Sequence, residues 1–212
     1  MGELLQVNVG SSQTFLIGGR LVETAIVKTA TDGPVRLGDD HVEGDTQANE
    51  VHHGGRDQAV YAYDRASYDA WESERDQQLP SGFFGENLTL AGIDVDAARI
   101  GERWRIGDEV EVEVTSPRIP CAKLDWRMQD TFQKTFLHAD RSGAYLRIVT
   151  PGDVRAGDVV EVVSRPDHEV TVADVMALWR GDDVAAHVLT AGDHLPDETR
   201  QRAEQRAART TG

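Results

Sequence analysis

The run Val110-Glu111-Val112-Glu113-Val114-Thr115 alternates apolar and acidic side chains without a break. Successive side chains of a strand point to opposite faces, so this pattern predicts a half-exposed β-strand with one face on a core. Shorter β-prone runs lie at Leu4-Gln6-Val9, Val22-Ala25-Val27, residues 59–63, residues 88–90 and residues 159–163. Gly101, Gly107-Asp108 and Gly157-Asp158 each precede such a run, as turn residues should. Many short strands at irregular spacing, with few helices between them, predict a mainly β fold. An antiparallel barrel or sandwich fits this pattern better than a doubly wound sheet.

Helical periodicity is confined to a few places. Residues 64–78 carry Ala66, Tyr68, Ala70 and Trp71 among charges and predict a helix on the barrel. Residues 126–137 form a second, weaker helical pattern. Beyond Arg165-Pro166-Asp167 the texture changes. Thr171 with Asp174 makes a variant capping box, and Val172, Val175, Met176 and Trp179 recur at helical spacing. Gly181, Gly192 and Pro196 divide the remainder into about three short helices, the last nearly all polar and marginal alone. The expected organisation is a β domain over residues 1–165 and a three-helix appendage over 166–212. The appendage's apolar stripe must cover either the barrel or a second copy, so a homodimer is one arrangement left open.

A chain of 212 residues can bury a core without disulfides. Its 37 acidic and 22 basic residues give a formal net charge of -15, which argues against nucleic acid or an anionic membrane as partner. No apolar run approaches the roughly 20 residues that cross a bilayer. Met1-Gly2-Glu3-Leu4-Leu5 lacks a basic segment and a long apolar segment, so no secretory signal is expected. Gln6 stands where a myristoylation site would need Ser or Thr. A cytoplasmic location is the expectation.

Cys121 is the single cysteine, in the run Ser116-Pro117-Arg118-Ile119-Pro120-Cys121-Ala122-Lys123. It has no partner for an intramolecular disulfide. Pro120 removes a backbone donor and interrupts any ladder there. Arg118, Lys123 and Arg127 favour the thiolate, which is the nucleophilic and metal-binding form. A small buried hydrophobe is the competing reading of such a residue. Elsewhere, the turn His53-Gly54-Gly55 can aim successive N–H groups into one concavity, and a plain hairpin would explain it equally. Adjacent histidines on a strand face opposite ways, so His52-His53 predicts no structural metal site. Asn87, in Gly85-Glu86-Asn87, reads either as a turn residue or as an amide at a cavity mouth. Lys28, in mostly apolar company, reads either as an edge residue with its ammonium in solvent or as a charge aimed at a phosphate.

Four segments together resemble the MOSC domain family, and within it the YiiM-type subgroup. They are Gly44-Asp45-Thr46-Gln47-Ala48, His53-Gly54-Gly55-Arg56-Asp57-Gln58-Ala59, Phe84-Gly85-Glu86-Asn87-Leu88 and Pro117-Arg118-Ile119-Pro120-Cys121-Ala122-Lys123-Leu124. Residues 145–152 and 161–165 also fit, and residues 169–173 are similar to the start of that subgroup's three-helix appendage. The resemblance implies a MOSC-type β-barrel that binds the molybdenum cofactor (molybdopterin), with Cys121 as molybdenum ligand and Cys121 and Arg118 as catalytic candidates. By the same carry-over Lys28, His53, Gly54, Gly55, Asn87, Arg118 and Lys123 line the cofactor pocket. The implied activity is reduction of N-hydroxylated small molecules, such as hydroxylaminopurine and amidoximes, to the amines. Pyridoxal phosphate is not expected.

The residues are chemically consistent with that implication. A thiolate suits a thiophilic centre, and cations with turn amides suit a pterin phosphate. N–O cleavage needs two electrons, and a lone cysteine can neither cycle through an internal disulfide nor hold an iron–sulfur cluster. With no glycine fingerprint for a flavin or nicotinamide, an external electron-donor reductase is implied. Two competing readings are a carrier, passing on persulfide sulfur at Cys121 or the cofactor itself, and a docking module acting through its helical tail. A carrier wants an exposed thiol, whereas a ligand wants a recessed one.

Overall fold

The computed structural model describes residues 1–46 and 55–210. Along them run the strands β1 (Gly2–Val9), β2 (Gln13–Ile17), β3 (Arg20–Thr24), β4 (Thr29–Ala30), β5 (Val35–Leu37) and β6 (Val60–Asp64). After helix α1 (Arg65–Arg75) come β7 (Leu88–Ala91), β8 (Arg103–Ile106) and β9 (Val110–Pro117). Helices α2 (Ala122–Met128) and α3 (Gln133–Leu137) precede β10 (Ala144–Thr150), β11 (Gly152–Val154) and β12 (Val159–Ser164). Helices α4 (Val172–Arg180), α5 (Ala185–Leu189) and α6 (Asp197–Thr210) follow. Among the described residues no helix is long and apolar enough to cross a membrane.

Seven strands in the order β12-β8-β9-β10-β6-β7-β1 close into a barrel, because β1 pairs back onto β12. All neighbours are antiparallel except β6 and β7, which run parallel through α1. The mainly β barrel expected from the sequence is the fold found. Val110, Val112 and Val114 of β9 are fully buried in the interior, beside Leu4, Leu88, Trp104 and Leu146. The other face of β9 departs from the half-exposed expectation. Glu113 is only 6% exposed, because Arg103 (2.9 Å) and Arg147 (3.6 Å) close over it. The alternation marks the faces correctly, but the outer one is covered by arginine stems rather than by water.

A second, aromatic core lies outside the barrel and builds the floor of the site. Tyr61, Tyr63, Tyr68, Trp71, Phe84, Phe132 and Phe136 pack with Leu79, Leu124 and Met128. The indole of Trp71 donates to the Tyr63 hydroxyl (2.8 Å), which donates to the Arg141 carbonyl (2.9 Å). Gly143 (φ 65°) lets this layer close: a Cβ there would sit 2.5 Å from the Ala62 carbonyl oxygen. Helix α1 is capped by Asp64, whose side chain accepts from the Ser67 N–H at 2.8 Å. The single helix expected over 126–137 is instead two. Gln129 takes a left-handed conformation (φ 53°) that ends α2. Asp125 then accepts the N–H groups of Phe132 and Gln133, both at 2.7 Å, and starts α3.

The strand expected across Val22–Val27 stops at Thr24, and residues 25–28 run on without a ladder. Lys28 therefore lies outside any strand. In the appendage Thr171 and Asp174 form the full capping box, and Gly181 (φ 107°) ends α4. Val172, Val175 and Leu178 join the same hydrophobic cluster as Val95, Ala98 and Ile100 of the β7–β8 connection and Val112 and Val114 of β9. Backbone bonds from Ile100 to Val170 and from Val172 to Ala98, each 3.0 Å, add to that contact. Of the two coverings open to the stripe, the barrel is the one found. The polar α6 is held through buried Thr199 and Ala203, and by Arg202 stacked 4.0 Å from the Trp179 ring.

Candidate functional site

Cys121 sits at the end of the β9–α2 connection, half-buried, with its backbone extended (φ -138°, ψ 170°). Its carbonyl accepts from the Leu124 N–H (2.8 Å), which starts α2, and its side chain makes no cap bond. The thiol is thus left for the cavity it lines together with Arg118, Lys123, Tyr61, Tyr145 and Phe84. Lys28, Asp45, Thr46, Gln58, Gly85 and Asn87 line the same cavity. The described walls enclose about 110 Å³. Ligand pockets usually hold about 300–1,000 Å³, so these walls embrace the reacting end of a ligand rather than all of one.

Arg118 is 7% exposed, three residues before the thiol. Its guanidinium lies 5.6 Å from the Tyr61 ring centre and 5.9 Å from that of Phe136, and it hydrogen-bonds to Tyr145. Burial works against its charge, but Tyr61, Tyr145 and Cys121 outweigh that and hold its pKa above the ordinary arginine value. Nη1 is buried and has no hydrogen-bond partner among the described residues. Burial raises the pKa of the Tyr145 hydroxyl, with Arg118 opposing. The Tyr61 ring packs 5.3 Å from that of Tyr145, and its hydroxyl is committed to the Ser142 carbonyl (2.7 Å).

Lys28 is not in solvent. Its side chain is 7% exposed and its ammonium is bound by both carboxylate oxygens of Asp45. Burial lowers the Lys28 pKa, with Asp45 opposing the shift. Asn87 is ordered from both ends of its amide. Its Oδ1 accepts the Tyr61 N–H (3.1 Å), and its Nδ2 donates to Asp45 (2.9 Å) and to the Asn8 carbonyl (3.3 Å). Beneath it, fully buried Glu86 accepts from Tyr68 (2.8 Å), the Gly82 N–H (2.6 Å) and Thr89 (2.9 Å). Gly85 (φ 85°) lets the turn pass within 3.0 Å, measured from a hypothetical Cβ, of Ile26.

The structure thus brings Cys121, Arg118, Lys123, Lys28 and Asn87 to one cavity. Gly55 (φ 92°) precedes the short 3-10 turn Arg56–Gln58 and does not line that cavity; Gln58 of the same turn does. His53 and Gly54 lie outside the described residues. Arg127 turns away from the thiol, donating to the Phe83 carbonyl (3.1 Å) and stacking 4.3 Å from its ring. Tyr61, in a β-prone run, and Tyr145 and Phe84, inside motif segments, escape the sequence reading as site residues because buried aromatic side chains read as core. Asp45 lay within a motif segment, but only its partners reveal its place in the wall.

Comparison with known proteins bears on this arrangement. The family model of the MOSC domain matches residues 49–161. The chain is 36% identical over 171 residues to YflK of Bacillus subtilis (strain 168), covering 80% of this chain and 76% of that protein. It is 32% identical over 199 residues to a protein of Gibberella moniliformis (strain M3125 / FGSC 7600) named as a reductase. That match covers 92% of this chain and 35% of the relative, so the chain spans about a third of that protein. The crystal structure of YiiM from Geobacillus stearothermophilus superposes with a TM-score of 0.80 at 28% identity, covering 97% of this chain and 99% of the other. With the closed barrel and the cysteine-bearing connection after β9, these matches decide the family: the chain belongs to the MOSC domain family.

Proposed function

We propose that this protein holds a molybdenum cofactor through Cys121 and reduces N-hydroxylated small molecules to the corresponding amines. The observation that carries the reading is Cys121 beside a buried guanidinium whose Nη1 has no hydrogen-bond partner among the described residues. A buried, unsatisfied cationic donor is costly, and an anionic group arriving in the cavity would relieve that cost. A soft thiolate at the same place suits molybdenum. The residues present therefore fit the cofactor. Cys121 would ligate the metal, Arg118 and Lys123 would bind anionic parts, and Asn87, its amide committed to Tyr61, Asp45 and Asn8, would shape the pocket. When bound, the cofactor would supply the two electrons for N–O cleavage.

The protein's own part is to bind, orient and exclude water. Tyr61, Tyr145 and Phe84 wall the thiol on one side, and Arg118 keeps a fixed positive charge next to it. The chain has one cysteine, so electrons would enter from a separate reductase rather than through a disulfide or cluster. A relative named as a reductase supports an oxidoreductase. The half-buried setting of Cys121 favours a ligand over a carrier, which would present its thiol to solvent. The acidic composition supports a small-molecule substrate over nucleic acid or an anionic membrane as partner.

Protein purified from a host that makes the cofactor should carry close to one molybdenum per chain. Cys121→Ser replaces a soft ligand by a hard, largely protonated one. It should lower both molybdenum content and amidoxime reduction at least roughly 100-fold, beyond the cost of losing an outer-shell partner. The melting temperature should barely change. A serine variant that kept most of its turnover with a reconstituted donor would rule out ligation by Cys121.

A further inference from the structure

Lys28 faces the cavity, yet its charge is already spent within the protein. Both oxygens of Asp45 bind its ammonium, and the two side chains are each 7% exposed. Asp45 Oδ1 also accepts the Gly10 N–H (2.7 Å), and Oδ2 accepts Asn87 Nδ2 (2.9 Å). Thr46, the next residue of that wall, donates its N–H to the Gly10 carbonyl (2.8 Å). One carboxylate therefore ties together the chain after β1, the unpaired segment before β4, the 45–46 wall and the turn before β7.

We infer that Lys28 is a positioning residue: it pairs with and fixes Asp45, and through Asp45 it sets the Asn87 amide and the 45–46 segment of the cavity that Cys121 lines. It is not the contact for a ligand's anion, a role left to Arg118, whose Nη1 has no partner among the described residues. An ammonium held by its own carboxylate presents little net charge to a phosphate. Asp45, in turn, needs a cation because a buried carboxylate without one is strongly disfavoured. The inference deepens the proposed function and rests on it for the identity of the ligand.

The two roles for Lys28 predict opposite behaviour of Asp45. If Lys28 bound a ligand's anion directly, Asp45→Asn would free the ammonium and raise loading, while Lys28→Met would lower it. If Lys28 acts through Asp45, both substitutions break the same tie. Lys28→Met, Asp45→Asn and the double variant should be purified as full chains from a cofactor-competent host, and molybdenum per chain measured. Each single variant should lose at least about threefold, near the low end of coupling between contacting residues, and the double variant no more than the worse single. The double variant removes both charges together, so it leaves no lone buried ion and guards against loss of folding in the singles. A gain or no change in Asp45→Asn, or additive losses in the double, would overturn the inference.

A second readout needs no cofactor. Because Cys121 is the single thiol, the rate of its alkylation by iodoacetamide in apo protein reports this cavity alone. Lys28→Met and Asp45→Asn should raise that rate alike and non-additively, and unchanged rates would overturn the inference. A wild-type protein without molybdenum would refute the proposed function instead, leaving the alkylation rates to judge Lys28.

Discussion

Asp96 carries a proton into the neutral range. It is 6% exposed, and burial raises its pKa from the ordinary aspartate range to about 7, with nearby Asp64 adding to the rise. Hydrogen bonds from the Ser142 N–H (2.7 Å) and hydroxyl (2.8 Å), both to Oδ1, oppose the rise without cancelling it. The folded state then holds a proton that the unfolded chain gives up near pH 4. Stability from this group is complete below that point and is lost as pH rises through about 7. Asn at this position keeps an oxygen for both Ser142 bonds and never ionises. Melting curves of wild type and Asp96→Asn between pH 5 and 8.5 should therefore diverge, the wild type losing stability and the variant much less. That window crosses about two of the roughly three pK units between the unfolded and folded values, which sets an upper figure of about 3 kcal/mol. Parallel curves would show that Asp96 does not titrate there. No local pattern marks Asp96, since its partners lie 46 and 47 residues away. The same distance effect hid Asp45. By contrast Cys121, Arg118 and Lys123 share one octapeptide, so short-range chemistry raises them as candidates, with a small buried hydrophobe still open for the cysteine.

At the scale of elements, what could be read depended on whether the signal was local. The capping box and the glycine stop of α4 are sequence-adjacent, and they appear where the pattern put them. The interruption between α2 and α3 is different, because Asp125 looks like one more polar residue of a weak helix. In the structure its carboxylate takes the Phe132 and Gln133 N–H groups and so positions Phe136, which is fully buried beside Arg118. Asp125→Ala leaves these donors unpaired and should cost about 1–2 kcal/mol, the loss typical of a helix cap. A lower melting temperature by roughly 2–8 °C, with faster proteolysis near residues 129–135, is expected. Asp125→Asn retains an acceptor and should recover most of the loss. Equal stability of the alanine variant would mean that the aromatic core alone holds α3. The strand alternation at 110–114 teaches a related point. It located β9 and its inner face, but the burial of Glu113 comes from Arg103 and Arg147 on two neighbouring strands.

At the scale of the whole molecule the question is whether barrel and appendage are one cooperative unit. Composition changes at Arg165-Pro166-Asp167, and the cavity residues all precede that point. Packing continues across it. Val170, Val172, Val175 and Leu178 are fully buried in the cluster that contains Val95, Ala98 and Ile100. Each fully buried side chain of this size is worth about 1.5–3 kcal/mol, so the four together rival the 5–15 kcal/mol that stabilises an ordinary protein. A chain ending after Pro166 would expose that barrel face to water and lose the backbone bonds at Ala98 and Ile100. It should therefore melt without a sharp transition, or precipitate, although every cavity residue is retained. Circular dichroism melting of the truncated chain decides: a cooperative transition would make the barrel over 1–165 an independent unit. A softer test keeps the full chain and changes Leu178→Ala, which should cost about 2–5 kcal/mol. In a Trp179→Phe background, where the remaining indoles lie outside the appendage, the far-ultraviolet and near-ultraviolet signals should shift to the same lower midpoint if the barrel and appendage unfold together. Separate midpoints would mean that the barrel outlasts its appendage.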